Sequence, residues 1–396
     1  MTQDKQNNRP NVPPLRFPEF SGEWEKHLTT DFFEFKNGLN PDVKRFGSGT
    51  KFISVMDILN NRYITYDKII SSVEAKDDDL RDFGVNYGDI LFQRSSETLE
   101  DVGRANVYLD EKPALFGGFV IRGKRIGDYN PLFFRYLLSS PSVRKRIIVK
   151  GAGAQHFNIG QDGLSKVSLF VPSAKEQDRI AQLLNAIDKR IEVQSGLINK
   201  LESLIGGIRR KLFDEQQNCK LCRLGDFLVE YSERNMNRNL TSVAVGKYGI
   251  RKREDIYSRE LSKDYSKNKV IKKNTLTIGM GSSQIDIGVL LEDVEYCVSP
   301  AYTTYKIHGI NSAYLQEYLI LINPILSFKY MVTSVRQGKS VNKDELMKHK
   351  ISVCSLSDQQ KIQLAIAAFY KKLGIEQQVL DLYIKQKQYL LSQMFI

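Results

Sequence analysis

Between Pro172 and Phe213, apolar residues fall at Ile180, Leu184, Ile187, Ile191, Ile198, Leu201, Ile205, Ile208 and Leu212, in steps of four and three broken only at Gln194. That spacing predicts one long helix carrying a coiled-coil seam, which is narrower than a general amphipathic face. Ser173 and Glu176 just after Pro172 read as a capping box, and Arg209, Arg210 and Lys211 suit the negative end of the helix dipole. Some forty residues at about 1.5 Å each give a rod on the order of 60 Å long. A second series, at Ile362, Ile366, Phe369, Leu373, Leu380, Tyr383, Leu390 and Met394, predicts a second long helix over 357–395 with polar breaks at Glu376 and Lys387.

The rest of the pattern has a shorter period. From Lys51 to Val171 the runs KFISV, GDILF, RANVYL, GGFVIRG and KVSLFV alternate with turn residues and read as strands. Helices are expected over Asn130–Leu138 and near Ser142–Lys150. Without a regular strand–helix alternation, the fold class is α+β and not a doubly wound sheet.

Self-comparison decides the organisation. At a shift of 182, Gln155, Asp162, Leu164, Lys166, Val171, Ser173, Gln177, Ile180, Lys189 and Phe213 meet identical residues at Gln337, Asp344, Leu346, Lys348, Val353, Ser355, Gln359, Ile362, Lys371 and Phe395. Tyr136-Leu137 meets Tyr318-Leu319 at the same shift, and Val102-Gly103 meets Ile287-Gly288 after a small slip. The chain therefore reads as a duplication: a flexible leader (1–22), a first domain (23–171), a central helix (172–214), a connector (215–221), a second domain (222–354) and a C-terminal helix (355–396). Gln194 and Glu376 are equivalent under the shift, so each helix carries a polar seam residue near its middle, a device that sets register at some cost in stability. Parallel and antiparallel pairing would both place these two residues level.

Composition adds a partner class. Fifty-eight Lys and Arg against forty-six Asp and Glu leave a formal charge of +12, which favours a polyanion, nucleic acid being the commonest. The stretch Arg122–His156 has eight Lys or Arg against one Asp, and Lys247–Lys273 has ten against four acidic residues, both with interspersed aromatics. Such density suits phosphate contact with salt-sensitive affinity, a solvated basic face being the alternative for any one residue. From these stretches Arg122, Lys124, Lys150, Arg251, Lys252, Arg253 and Lys272 are candidate DNA contacts. No apolar run approaches a membrane span and the N-terminus lacks a signal core, so a cytoplasmic location without membrane contact is expected. Cys219 and Cys222 form one CxxC, but Cys297 and Cys354 are isolated, which argues against zinc and for reduced thiols.

Catalytic motifs are incomplete. An adenine N6-methyltransferase calls for Asn/Asp-Pro-Pro-aromatic, and Asn130-Pro131-Leu132-Phe133 and Asn323-Pro324-Ile325-Leu326 lack the second proline. Gly338-Lys339-Ser340 lacks the upstream glycine of a P-loop, Thr333 standing there. Asp42 with Glu74 and Lys76 resembles an acidic residue plus Glu-x-Lys around a divalent metal, and a metal-dependent nuclease is the competing reading. A third is a helical scaffold whose basic surface binds DNA without sequence preference.

The opening LRFPEFSGEW, then Tyr87-Gly88-Asp89-Ile90-Leu91 with Gly103, Asn130-Pro131, and VPSAKEQDRIAQLLNAIDKRI, in that order and within a duplication, resemble the specificity subunit of type I restriction–modification systems over nearly the whole chain. The resemblance implies two target-recognition domains, each reading one half of a split target on double-stranded DNA. It also implies two long helices, paired as an antiparallel coiled coil, that set the gap and hold two methyltransferase subunits. The chain itself would be non-catalytic and bind no cofactor. S-adenosylmethionine would serve the methyltransferases, and ATP and magnesium would serve two motor–nuclease subunits. The second copy departs from the pattern: Cys354 replaces Pro172, SLSDQQKIQLAIAAF replaces the proline–glutamate version, and Asn274-Thr275 replaces Gly88-Asp89. Base readout needs side chains that hydrogen-bond base edges from loops. The candidates are Gln93, Arg94, Ser95 and Ser96 with their counterparts Gly281, Ser282, Ser283 and Gln284, then Gln155, His156 and Asn158 with Arg336, Gln337, Lys339 and Asn342.

Overall fold

The computed structural model describes residues 11–153, 156–236, 239–246, 249–257, 264–334 and 338–396. The chain forms two compact units, Met1–Ser195 with Gln378–Ile396, and Gly196–Gln377.

In the first unit the domain is clasped where it begins and ends: strand Glu25–Leu28 runs antiparallel to Ser168–Val171, with Glu25 opposite Val171. Between them lies a four-stranded antiparallel sheet in the order Phe33–Asn37, Val120–Arg125, Ile90–Gln93, Ala105–Val107. The central strand Ile90–Gln93 is buried on both faces because alternate side chains serve different cores. Ile90 and Phe92 pack with Trp24, Phe33, Phe133 and Phe134, whereas Leu91 joins Ile53, Ile58, Ile64 and Tyr108 under a smaller sheet. In that smaller sheet Phe46–Ile53 pairs parallel with Leu115–Phe116.

The second unit repeats this plan. Lys220–Arg223 clasps Lys350–Val353, and a four-stranded sheet runs in the order Leu228–Tyr231, Thr303–Ile307, Thr275–Met280, Ile285–Leu290. A parallel pair in the side sheet, Ser242–Gly246 with Tyr296–Val298, corresponds to the parallel pair of the first unit.

Two hydrogen-bond systems recur in detail. Asn130 caps helix Pro131–Ser139 by accepting from Phe133 N at 2.9 Å, and Asn311 caps Ser312–Tyr330 by accepting from Tyr314 N at 3.0 Å. Each cap donates its own backbone N–H to a glutamine on a long helix, Asn130 to Gln177 at 3.0 Å and Asn311 to Gln359 at 2.8 Å. Each glutamine donates in turn to a backbone carbonyl, Gln177 to Pro172 and Gln359 to Cys354. The acceptor is main chain, so proline-to-cysteine at that position costs nothing in this contact. Gly88 (φ 89°) and Asn274 (φ 63°) occupy the same left-handed turn before the central strand, and asparagine is among the few residues that tolerate it.

The long helices span Ala174–Asp214 and Leu356–Gln393. Every expected seam side chain is buried or half-buried: Ile180, Leu184, Ile187, Ile191 and Gln194 in the first unit, and Ile198, Leu201, Ile205, Ile362, Ile366, Phe369, Leu373 and Glu376 in the second. Leu380, in the first unit, is half-buried. There the C-terminal segment joins the core through Leu390, Met394 and Phe395, and Lys387 Nζ reaches Asp188 at 2.7 Å.

Two local expectations are corrected. Glu176 does not close a capping box; its carboxylate, 1 % exposed, takes two bonds from Arg16, at 2.8 and 2.7 Å, and one from Trp24 Nε1 at 3.3 Å. The capping exchange appears in the second copy, where Ser355 Oγ accepts from Asp358 N and donates to the Asp358 carboxylate. The described part of the leader, 11–22, is not free chain, because Arg16 is held by Glu176 and Leu15 N donates to Gln393 O at 2.9 Å.

Candidate nucleic-acid interface

In the first unit the fold brings two expected groups together. The main chain leaving Ile90–Gln93 forms the short strand Ser95–Ser96, which pairs antiparallel with Phe157–Asn158, and Ser95 Oγ donates to Asn158 Oδ1. His156 and Asn158 are exposed, while Arg94, Ser95 and Ser96 are half-exposed. Arg94 also holds the neighbouring turn, its N–H on Phe119 O at 2.9 Å and Nη1 on Gly118 O at 3.3 Å. Gln93 is different: it is 5 % exposed and its Nε2 donates to Ser95 O, so it shapes the loop from inside. Gln155 lies outside the described residues.

The second unit makes the corresponding cluster with other side chains. The hairpin Met331–Ser334 with Gly338–Val341 presents Lys339, whose Nζ donates to Ser282 O at 3.2 Å. Ser282, Ser283 and Gln284 are exposed in the turn between Thr275–Met280 and Ile285–Leu290. Asn342 is a helix cap, accepting from Glu345 N at 3.3 Å, which fixes the end of the hairpin. Arg336 and Gln337 lie outside the described residues.

The basic stretch Arg122–His156 is mostly not a surface. Arg122, 6 % exposed, points inward, donates to Gly84 O and lies 5.5 Å from the Phe116 ring centroid, so it is withdrawn as a phosphate contact. Arg125 bonds Tyr129 O, and Arg146 bonds Ser168 O and packs on Phe170. Arg135 pairs with Asp188 at 3.4 Å. Arg144 fans onto the carbonyls of Gly103, Glu100 and Val102, and burial, helped by the neighbouring Arg104 and only partly offset by Asp101, draws its guanidinium pKa down to about 10. The exposed remainder is Lys124, Lys145 and Lys150. In the second unit Arg251 and Lys252 are exposed, and Arg253 is half-exposed against Tyr257. Lys272 lies between Glu233 and Glu295, at 3.0 and 3.4 Å, so most of its charge is neutralised within the fold.

Charge counting overlooked two aromatics. Phe119 is 68 % exposed beside Arg94, and Phe328 is 90 % exposed on a cleft of about 390 Å³ that it shares with Ser283, Gln284 and Lys339. A Gly117-Gly118 turn ending in phenylalanine was a legible signal for the first, whereas Phe328 lies inside a helix and left none. Exposed rings beside polar loops can stack on bases or sugars.

The motifs set aside as catalytic have structural work. Asn130-Pro131 is a helix N-terminus, and Asn323-Pro324 lies inside Ser312–Tyr330, where Asn323 bonds Ile285 O at 2.9 Å. Asp42, Glu74 and Lys76 are exposed, and among the described residues no group of three or more His, Cys, Asp or Glu side chains could hold a metal. The four thiols are free, and burial pushes those of Cys297 and Cys354 up. Among the described residues no helix is long and apolar enough to cross a membrane.

Comparison with known proteins points one way. The family model for the type I restriction modification DNA specificity domain matches residues 21–203 and again 217–382. The chain is 27 % identical over 182 residues to the type I restriction enzyme EcoKI specificity subunit of Escherichia coli K12, covering 43 % of this chain and 39 % of that one. It is 24 % identical over 226 residues to a putative type I restriction enzyme MjaX specificity subunit of Methanocaldococcus jannaschii, covering 54 % and 52 %. The matched stretches thus span about two fifths and one half of these relatives. Among solved structures, the type I restriction–modification S subunit from M. genitalium matches with a TM-score of 0.56 at 16 % identity, covering 97 % of this chain and 99 % of that one. A chain from a study of type I R-M complex assembly and conformational transition matches with a TM-score of 0.57 at 13 % identity, covering 96 % and 98 %. At such identities the likeness is one of fold.

Proposed function

Because this chain belongs to the family of type I restriction modification DNA specificity domains, we propose that it is the non-catalytic subunit that selects DNA sequence for such a system. Each recognition domain reads one half of a bipartite target on double-stranded DNA. The observation that carries the reading is the repeated polar loop pair: Ser95–Ser96 against His156–Asn158 in one domain, and Ser282–Gln284 against Lys339 in the other. Equivalent scaffolds carrying unlike side chains are what two different half-sites require.

The long helices act as the spacer, pairing as an antiparallel coiled coil. Support comes from Asp188 with Lys387 and Arg209 with Tyr370, in which rising numbers on one helix meet falling numbers on the other. Two methyltransferase subunits, using S-adenosylmethionine for N6-adenine methylation, dock on this pair. Two motor–nuclease subunits, using ATP and magnesium, complete the assembly and restrict unmodified DNA. The chain itself binds no cofactor, and the complex works in the cytoplasm.

The test is a map of methylated adenines in cells expressing the chain with residues 23–171 exchanged for another first domain. One half of the modified sequence should change, with the other half and the gap retained; an unchanged modified sequence would end the reading.

A further inference from the structure

Because Asn130 and Asn311 bond Gln177 and Gln359 in the same way, each domain helix meets its long helix in the same frame. Six residues beyond the capping asparagines stand Tyr136 and Glu317; eleven beyond the glutamines stand Asp188 and Tyr370. The same two places face each other in both units, and their chemistry is exchanged. In the first, Tyr136 OH donates to Asp188 at 2.8 Å, with tyrosine on the domain and carboxylate on the helix. In the second, Tyr370 OH donates to Glu317 at 3.5 Å, with carboxylate on the domain and tyrosine on the helix.

The surroundings follow the carboxylate. Asp188 has Lys387 at 2.7 Å and Arg135 at 3.4 Å, whereas Glu317 has Arg209 Nε at 2.8 Å, and Arg209 Nη2 also donates to Tyr370 OH at 2.6 Å. Both carboxylates are buried, so neither can lose its partners to water cheaply. A second grip agrees. Arg62 of the first domain bonds Asn185 Oδ1 and pairs with Glu192 at 3.0 Å, eight and fifteen residues beyond Gln177. The same offsets from Gln359 give Ala367 and Gly374, which offer no acceptor side chain. There Ala367 and Tyr370 instead line an open cleft of about 820 Å³ with Glu202, Arg209 and Glu317.

We propose that these reciprocal pairs address each recognition domain to its own seat on the long helices: the seat bearing Asp188 accepts the tyrosine domain, and the seat bearing Tyr370 accepts the carboxylate domain. Placed in the wrong seat, the first domain sets Tyr136 against Tyr370 with no carboxylate for Arg209, and the second sets Glu317 against Asp188. The address concerns docking within this chain and holds whether or not the domains read DNA.

The full chain tests it through unfolding midpoints and hydrogen exchange across Ser312–Tyr330. Glu317→Tyr and Tyr370→Asp should each lower the midpoint of the second unit by at least about 5 °C. The double variant, which rebuilds the first seat's pair beside Arg209, should recover most of that loss; additive losses would overturn the proposal. A chain carrying residues 23–171 in place of 222–354 gives a second readout. Tyr370→Asp should raise the protection of its second domain helix while lowering it in the natural chain, and the same sign in both would also overturn the proposal.

Discussion

Gln359, 1 % exposed, accepts the backbone N–H of half-buried Asn311 at 2.8 Å and donates its own Nε2 to the carbonyl of buried Cys354 at 2.8 Å. One side chain thereby ties the start of the domain helix to the start of the C-terminal helix. Gln359→Leu keeps the volume and removes both bonds, leaving the half-buried Asn311 N–H and the buried Cys354 carbonyl without this partner. The expected loss is about 1–3 kcal/mol, read as a lower urea midpoint at unchanged slope. Gln177→Leu should cost a similar amount in the first unit, since Gln177 makes the same two bonds.

Arg16 offers a sharper contrast. Its guanidinium meets Glu176 through two bonds, and that hydrogen-bonded partner raises its pKa above the ordinary arginine value. Arg16→Ala strands a carboxylate that is 1 % exposed and should cost about 3–5 kcal/mol. Replacing both partners by methionine should cost much less, because nothing charged is left buried. Limited proteolysis within residues 11–22 should accelerate in the single variant and stay slow in the double.

A good part of this fold was legible in the sequence because its signals are local. The seam from Ile180 to Leu212 states a helix, and the identities at a shift of 182 state a duplication. What escaped depends on partners distant in sequence. Nothing near Glu176 indicates that Arg16, 160 residues away, will take it from its capping role. The eight cations from Arg122 to Lys150 look alike as letters, yet Arg122, Arg125, Arg135, Arg144 and Arg146 are held by interior carbonyls, carboxylates or rings. Arginine's planar fork suits such buried bonding, whereas lysine keeps a hydrated point charge outside. The exposed survivors are all lysines, so residue type alone separates the two groups. Two departures in the second copy keep the local backbone: Asn274 holds the left-handed turn of Gly88, and Cys354 supplies the same carbonyl as Pro172.

His349 makes the second unit sensitive to acid. Its Nδ1 lies 2.9 Å from Tyr330 OH and its carbonyl accepts from Leu224 N, and burial, with help from Lys329, draws the imidazole below the ordinary value of 6.5. A depressed pKa in the folded state means that the unfolded chain binds the proton first. The stability this group contributes is therefore present above pH 6.5 and lost as pH falls through the depressed value. The thermal midpoint of the second unit should drop over that range, and His349→Gln should flatten the slope without abolishing folding.

The exposed lysines carry the prediction on DNA. Lys124 and Lys150 stand free on the first domain, and removing one phosphate-binding cation should lower the slope of log affinity against log salt by about one. Lys124→Ala and Lys150→Ala should therefore weaken binding at low salt, by similar factors for specific and non-specific duplexes, while leaving the unfolding midpoint alone. Arg144→Ala should behave oppositely: it removes three bonds to Gly103, Glu100 and Val102, lowers the midpoint, and leaves the salt slope of the remaining folded protein unchanged. Asn158→Ala belongs to a third class. It deletes the acceptor of Ser95 Oγ at the paired loops without changing charge, so discrimination between half-site sequences should fall while the salt slope stays the same. Titrations of matched and mismatched duplexes at several salt concentrations separate the three classes, and a salt-slope change for Arg144→Ala equal to that for Lys150→Ala would contradict the inward placement of the arginine.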